Sequence, residues 1–298
     1  MRMIRLFLLV SLLSMMALAK VQYSITPDMQ KFTASTGGAI YTLFYPATVK
    51  RFGAEAPLIF FIGGSEGGIW TKDDVLIRDL RYEGYHVVTV GYFKMKGLPE
   101  ATSKIDLEPF IQAIDYYKKY PGVDSDRIGL LGGSKGGELA LLLGSMDPDI
   151  HLVAGFVVSN VAFQGTDIAI FSHHSSWRYR GKEIPFVPYP QFSWAAIKGV
   201  LSGENYREMH DLALENTEAV DRALIEVERI NGPVFLLSSR HDQFWPSMEM
   251  SHAIMKRLDR YRFPYVHKHI AWDSNHFVLK DPKAWKTILS FLREQWQH

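Results

Sequence analysis

The chain has 298 residues, 47% of them hydrophobic and 22% charged, with 33 basic against 32 acidic side chains. This is ordinary globular composition, with length enough for one large core. The balanced charge, without a basic run or stripe, argues against a nucleic-acid partner, and the absence of cysteine excludes disulfides, thiolate zinc sites, CxxC redox chemistry and a cysteine nucleophile.

The chain opens with Arg2 and Arg5, an apolar run from Leu6 to Met16, and the A-x-A triplet Ala17-Leu18-Ala19. That order is the form of a secretory signal peptide over residues 1–19, and its apolar run is too short for a spanning helix. The expectation is an exported chain, periplasmic or secreted, with no membrane span once the leader is cut. A retained anchor is the alternative reading. No cysteine lies near the cut for a lipid.

Residues 20–298 read as one domain without repeats. Ala39–Ala47 alternates like a strand, and Ala56–Gly64 is a continuous apolar run of the kind a buried parallel strand shows. A helix is predicted over Thr71–Gly84, a strand over Tyr85–Phe93, and an amphipathic helix over Ile105–Tyr120 before Pro121. A strand at Arg127–Gly133, a helix at Gly136–Met146 and a strand at His151–Val161 follow. After a break come a strand at Gly232–Ser239, a helix around Met248–Leu258, a strand at Tyr265–Trp272 and a last helix around Pro282–Gln297. Alternation of this kind predicts an α/β fold, a mostly parallel central sheet with helices on both faces.

The break, about 164–202, is rich in aromatics and prolines and has no clear period. Long irregular insertions in compact domains are commonly lids or binding loops, so a cap is expected here. Phe163, Trp177 and Phe186 are taken as walls of the substrate pocket.

Two glycine loops, GGSEGG at Gly63–Gly68 and GGSKGG at Gly132–Gly137, both fit G-x-S-x-G. A nucleophile elbow needs a strand, a strained turn at serine and an immediate helix. Ser134 has that context; Ser65 has a strand before it but no helix until about residues 71–73. Ser134 is therefore assigned as nucleophile. The earlier loop sits where α/β-hydrolases place the second oxyanion donor. The backbone N–H of Lys135 and the Gly64, Ser65 and Glu66 backbone are the expected oxyanion hole. Neither loop has dinucleotide-binding or P-loop spacing.

Serine needs a base to take its proton and a third group to orient that base. In this fold the chain order is Ser, Asp/Glu, His. Asp242 follows a buried strand and His276 follows the last strand by a few residues, so they complete the set. Asp273 is the reserve acid. His267 and His269 alternate on one strand and read as two residues of one face, with no metal expected. His173 and His174 lie in the cap, where contact with substrate is open. His241 adjoins Asp242, whereas a base must approach from another loop. No cofactor is needed.

The combination LGGSKGGELAL, SNVAFQG, SSWRYRGKEIPFVPY, INGPVFLLSSRHDQFWPS and DSNHF resembles the catalytic domain shared by acyl-CoA thioesterases and bile-acid-CoA:amino acid N-acyltransferases. The resemblance runs from about Pro57 to the C-terminus. It implies an α/β-hydrolase fold, places Ser134, Asp242 and His276 at the family's nucleophile, acid and base, and implies an acyl thioester of CoA as substrate. The family's transferases use cysteine at the nucleophile position and its thioesterases serine, so Ser134 implies hydrolysis. Animal members carry a β-sandwich domain before this one; the roughly 40 residues expected between the signal peptide and the Ala56–Gly64 strand are too few for it. The reading is an exported serine hydrolase acting on a small-molecule acyl ester or thioester. A peptidase, a lactone or dienelactone-type hydrolase, and a non-catalytic binding protein on the same fold are the alternatives.

Overall fold

The computed structural model describes residues 24–166, 173–190, 193–195, 198–199 and 205–296. The leader at 1–19 lies outside these, as do Phe171 and Phe192 of the aromatic insertion. Eight strands form the central sheet: β1 (Gln30–Thr33), β2 (Ala39–Tyr45), β3 (Ala56–Ile62), β4 (His86–Gly91), β6 (Val123–Gly133), β7 (Leu152–Phe156), β10 (Val234–Ser239) and β11 (His267–Trp272). Their order is β1-β2-β4-β3-β6-β7-β10-β11. The pairs β1–β2 and β2–β4 are antiparallel; from β4 to β11 every neighbour is parallel.

The continuous apolar runs follow from a sheet covered on both sides. Leu58, Phe60 and Ile62 of β3 point to one face, with Val88, Leu130 and Leu236. That face packs on helices α2 (Glu108–Tyr117), α3 (Lys135–Met146) and α6 (Ser247–Arg260). The alternate residues Ile59 and Phe61, with Val87, Leu131 and Phe235, pack on α1 (Val75–Tyr82) and α7 (Pro282–Trp296). Two helices, α4 (Arg207–Leu214) and α5 (Thr217–Ala223), lie in the stretch the sequence pattern left unassigned.

Element ends shifted for local reasons. Helix α1 starts at Val75 because the Asp74 carboxylate accepts the Thr71 N–H at 2.6 Å, closing a separate turn first. Helix α2 starts at Glu108 because Ile105 and Asp106 form a two-residue strand, β5, paired with Trp177 and Arg178. Strand β7 ends at Phe156, before Val157 turns to φ 46°.

The insertion is where expectation and structure differ most. Its described part contains the hairpin β8 (Trp177–Tyr179) and β9 (Lys182–Glu183), and β8 runs parallel to β5. Arg178 clamps Asp106 through Nε at 2.5 Å and a second guanidinium nitrogen at 2.8 Å. Bridges join Phe163 to Val187 and Gln164 to Ser175. Trp177 and Phe163 are fully buried, so neither walls an open pocket; both are core residues. Phe186 is half-buried and Trp194 is exposed. A large aromatic gains most by full burial when its N–H finds a partner; the Trp177 indole donates to Glu138 Oε1 at 2.6 Å.

Trp177→Ala should therefore destabilise the fold by about 3–5 kcal/mol, the usual cost of emptying a buried tryptophan site. A urea melt measures it. A changed acyl-chain preference at unchanged stability would restore Trp177 to the pocket wall.

Candidate active site

Ser134 stands directly between β6 and α3, at φ 52° and ψ −122°. A non-glycine residue there stores on the order of 1–3 kcal/mol of backbone strain. The turn is tight because the two glycine loops pack backbone to backbone. A Cβ on Gly136 would sit 2.3 Å from the carbonyl oxygens of both Gly63 and Ile62. A Cβ on Gly64 would lie 3.1 Å from Gly133 O and 3.2 Å from Ser134 Cβ. Ser65, in contrast, is exposed in an open loop, whose carbonyl accepts Lys94 Nζ at 2.9 Å.

His276, in the loop after β11, meets Ser134. Its Nε2 is 2.9 Å from Ser134 Oγ, and its Nδ1 is 2.8 Å from Asp242 Oδ1. Since the carboxylate accepts, Nδ1 carries the proton and Nε2 faces the serine hydroxyl as acceptor. Asp242 Oδ1 also accepts the N–H groups of Phe244 at 2.9 Å and Trp245 at 3.4 Å. Gln243 takes the His276 backbone N–H on its side-chain oxygen at 3.0 Å. The Phe244 ring lies 4.4 Å from the imidazole. Asp242 and His276 are both buried; the Asp242 Oδ2 oxygen meets no donor among the described residues.

The helix start beneath Ser134 carries a buried ion pair. Lys135 Nζ lies 2.9 Å from each oxygen of Glu138, and both side chains are sealed from water. Burial pushes the Lys135 ammonium down and the Glu138 carboxyl up, and each charge opposes the other's shift. Glu138 Oε1 also accepts the Trp177 indole and the Phe163 N–H, the latter at 3.3 Å. The side chain of Lys135 is thus committed inward, while its backbone N–H remains at the site.

The expected oxyanion donors need one correction. The Gly64 N–H donates to Glu66 Oε1 at 2.8 Å, so it does not serve Ser134 in this arrangement. The same oxygen accepts Trp70 Nε1 at 3.1 Å. Among the described residues, the N–H groups of Ser65, Glu66 and Lys135 meet no acceptor.

The other candidate side chains sit elsewhere. Asp273 pairs with His241 at 2.9 Å, both exposed, away from His276. His269 Nε2 is 2.7 Å from Ser238 Oγ, and His267 Nε2 is 2.9 Å from Asp259. His174 pairs with Glu183 at 2.9 Å.

One residue near the site gave no signal in the sequence. His210, on α4, packs edge-on to Phe163, Tyr189 and Trp245, and Trp245 in turn contacts His276. Its Nδ1 donates to Tyr206 O at 3.0 Å, and Nε2 has no partner among the described residues. Burial holds its pKa down at about 4. Only the fold brings α4 here: the Tyr206 and Arg207 N–H groups both bond Gln243 O.

Residues 105–283 match the family model described as BAAT / Acyl-CoA thioester hydrolase C terminal. The chain belongs to this family. Among its relatives, human acyl-coenzyme A thioesterase 1 is 27% identical over 80% of this chain and 51% of its own length. Human mitochondrial acyl-coenzyme A thioesterase 2 is 26% identical over 80% of this chain and 45% of its own length. The chain spans about half the length of the curated relatives it matches. Among solved structures, a Mycobacterium tuberculosis puromycin-hydrolyzing peptidase superposes with TM-score 0.60 at 16% identity, over 93% of this chain and 40% of that one. The α/β hydrolase GrgF from a Penicillium species gives 0.55 at 15% identity, over 91% and 99%. The fold of this family member is that of the α/β-hydrolases.

His210 yields a pH test. Its folded pKa of about 4 lies below the ordinary 6.5, so the unfolded chain takes the proton first. The group adds nothing above pH 6.5, and stability is lost as pH falls from there toward 4. Between pH 7 and 4.5 the wild type should lose about 2 kcal/mol more than His210→Leu. Urea melts at the two pH values check this; equal losses would mean His210 is protonated without penalty.

Proposed function

We propose that the chain is a serine hydrolase that opens an acyl ester or thioester through an acyl-enzyme. The observation that carries the reading is the unbroken hydrogen-bonded line from Ser134 Oγ through His276 to Asp242, with Ser134 on a strained turn. Ser134 Oγ bonds to the acyl carbon as His276 Nε2 takes its proton. The imidazolium that forms is held by the Asp242 carboxylate. The negative oxygen of the tetrahedral intermediate falls to the N–H groups of Lys135 and Ser65, electrostatic help that in such sites is often the largest contribution. Collapse breaks the bond to the leaving alcohol or thiol, which takes the proton from His276. Water, deprotonated by the same imidazole, then releases the acid and restores Ser134.

The acyl-CoA thioesterases among the relatives support a thioester as one substrate form. Serine, not cysteine, at position 134 favours water as acceptor, since an oxygen ester is less prone to aminolysis than a thioester. The leader-like sequence at 1–19 supports export before the chain acts.

A fluorophosphonate probe should label the wild type and not Ser134→Ala, while Ser65→Ala should label and retain substantial activity. Asp242→Asn and His276→Ala should each lower turnover by roughly three orders of magnitude. A screen of esters, acyl-CoAs and peptides reads the rates. Wild-type rates in either variant, or an active Ser134→Ala, would sink the reading.

Mass spectrometry of the products should show the free acid as the main species even with glycine or taurine present. A dominant N-acyl amino acid would make the chain a transferase.

A further inference from the structure

Glu66 is an exposed acid in the mouth of the proposed site. Its Oε1 is occupied, accepting from Gly64 N and Trp70 Nε1. Its Oε2 takes no hydrogen bond among the described residues. A Cβ built on Gly64 would lie 3.0 Å from Glu66 Oε2 and 3.2 Å from Ser134 Cβ. This second carboxylate oxygen is therefore no more than about 6 Å from the β-carbon of the proposed nucleophile. A cation from the loop after β4, Lys94, is turned to the backbone of the Glu66 loop: its ammonium bonds the carbonyls of Ser65 at 2.9 Å and Glu66 at 3.3 Å.

A negative charge there works against catalysis on a neutral or anionic acyl group, because negative charge builds on the carbonyl oxygen in the transition state. It becomes an asset when the substrate supplies a cation. The side of the site fixes where that cation is. His276, which hands a proton to the leaving group, approaches from β11; Glu66 follows β3, on the other side of β6. The carboxylate thus borders the acyl half of the substrate. In an acyl-serine, a nitrogen on the acyl α-carbon lies about 4–5 Å from the serine Cβ by covalent geometry. These two distances from the serine Cβ allow a conformer of the acyl group in which the nitrogen meets Oε2 at the roughly 2.8 Å of a charge-assisted hydrogen bond.

We propose that Glu66 selects acyl groups bearing an α-ammonium, so that the site is built for α-aminoacyl esters or thioesters. This rests on the serine-hydrolase reading above. Acyl-CoA, with its anionic phosphates and uncharged acyl chain, offers Glu66 no cationic partner.

The test compares leucine methyl ester with methyl 4-methylpentanoate, which differ only by the α-ammonium. Rates are taken on the full chain without residues 1–19 at pH 6.5, where an α-amino group of pKa about 7.7–8.0 is mostly charged. Glu66→Gln keeps an oxygen for the Gly64 and Trp70 N–H groups and removes the charge. The leucine ester is intrinsically more reactive, so the deciding quantity is how the ratio of the two kcat/KM values changes in the variant. The leucine ester should slow by about five- to tenfold and the neutral ester should speed up, the scale of one charge-assisted contact at a partly wet site. Opposite signs are not produced by a residue that merely props the loop. If both esters change by the same factor, Glu66 is structural and this inference falls while the hydrolase reading stands. If wild type cleaves neither ester in a Ser134-dependent way, both fall together.

Discussion

The close approach of two backbones governs this site. The first turn of α3 lies against the end of β3, near enough that Gly136 has no room for a side chain beside the carbonyls of Ile62 and Gly63. That contact sets where Ser134 stands and what faces it. With the helix start pressed on the sheet edge, the chain cannot relax the φ 52° turn by drifting outward. The strain is held by surrounding packing, which is the condition under which such conformations persist. The GGSEGG loop is the other half of the contact, and its Gly64 lies against Gly133 and Ser134.

Beneath that contact, Glu138 ties the elbow to the insertion. It receives Lys135, the Trp177 indole and the Phe163 N–H within one sealed space. A buried ion pair adds little net stability, because desolvation offsets its attraction, but removing one partner leaves a stranded charge. Its consequence here is geometric. Lys135, which follows Ser134 directly, is fixed by its own side chain, and the segment after β7 is drawn inward against α3. The insertion is therefore a structural partner of the elbow before it is anything else.

The acid loop is organised the same way. Residues 242–245 present the Asp242 carboxylate to His276, hold its oxygen with the N–H groups of Phe244 and Trp245, and lend the Gln243 side chain to the His276 backbone. The Gln243 carbonyl also anchors the start of α4. Orientation of the imidazole, seating of α4 and burial of His210 thus share four consecutive residues. On the opposite side, Glu66 occupies the Gly64 N–H that the sequence assigned to the oxyanion, whereas the N–H groups of Ser65 and Lys135 meet no acceptor among the described residues.

By itself the sequence determined the alternating α/β layout and pointed to Ser134 rather than Ser65 as the candidate nucleophile, because apolar runs, glycine stops and an immediate helix are local patterns. It also singled out Asp242 and His276, since chain order and position after a strand are written along the chain. It could not determine that Trp177 and Phe163 belong to the core: an aromatic looks the same in a cap and in an interior, and burial here depends on Glu138, distant in sequence. Helices α4 and α5 were missed, and His210 with them, because they are short and take much of their order from contacts with the acid loop and the body. The fate of the Gly64 N–H turned on a side-chain rotamer two residues away. Periodicity and order along the chain carry the first kind of information; which partners close a polar group or an aromatic face is decided only when distant segments pack.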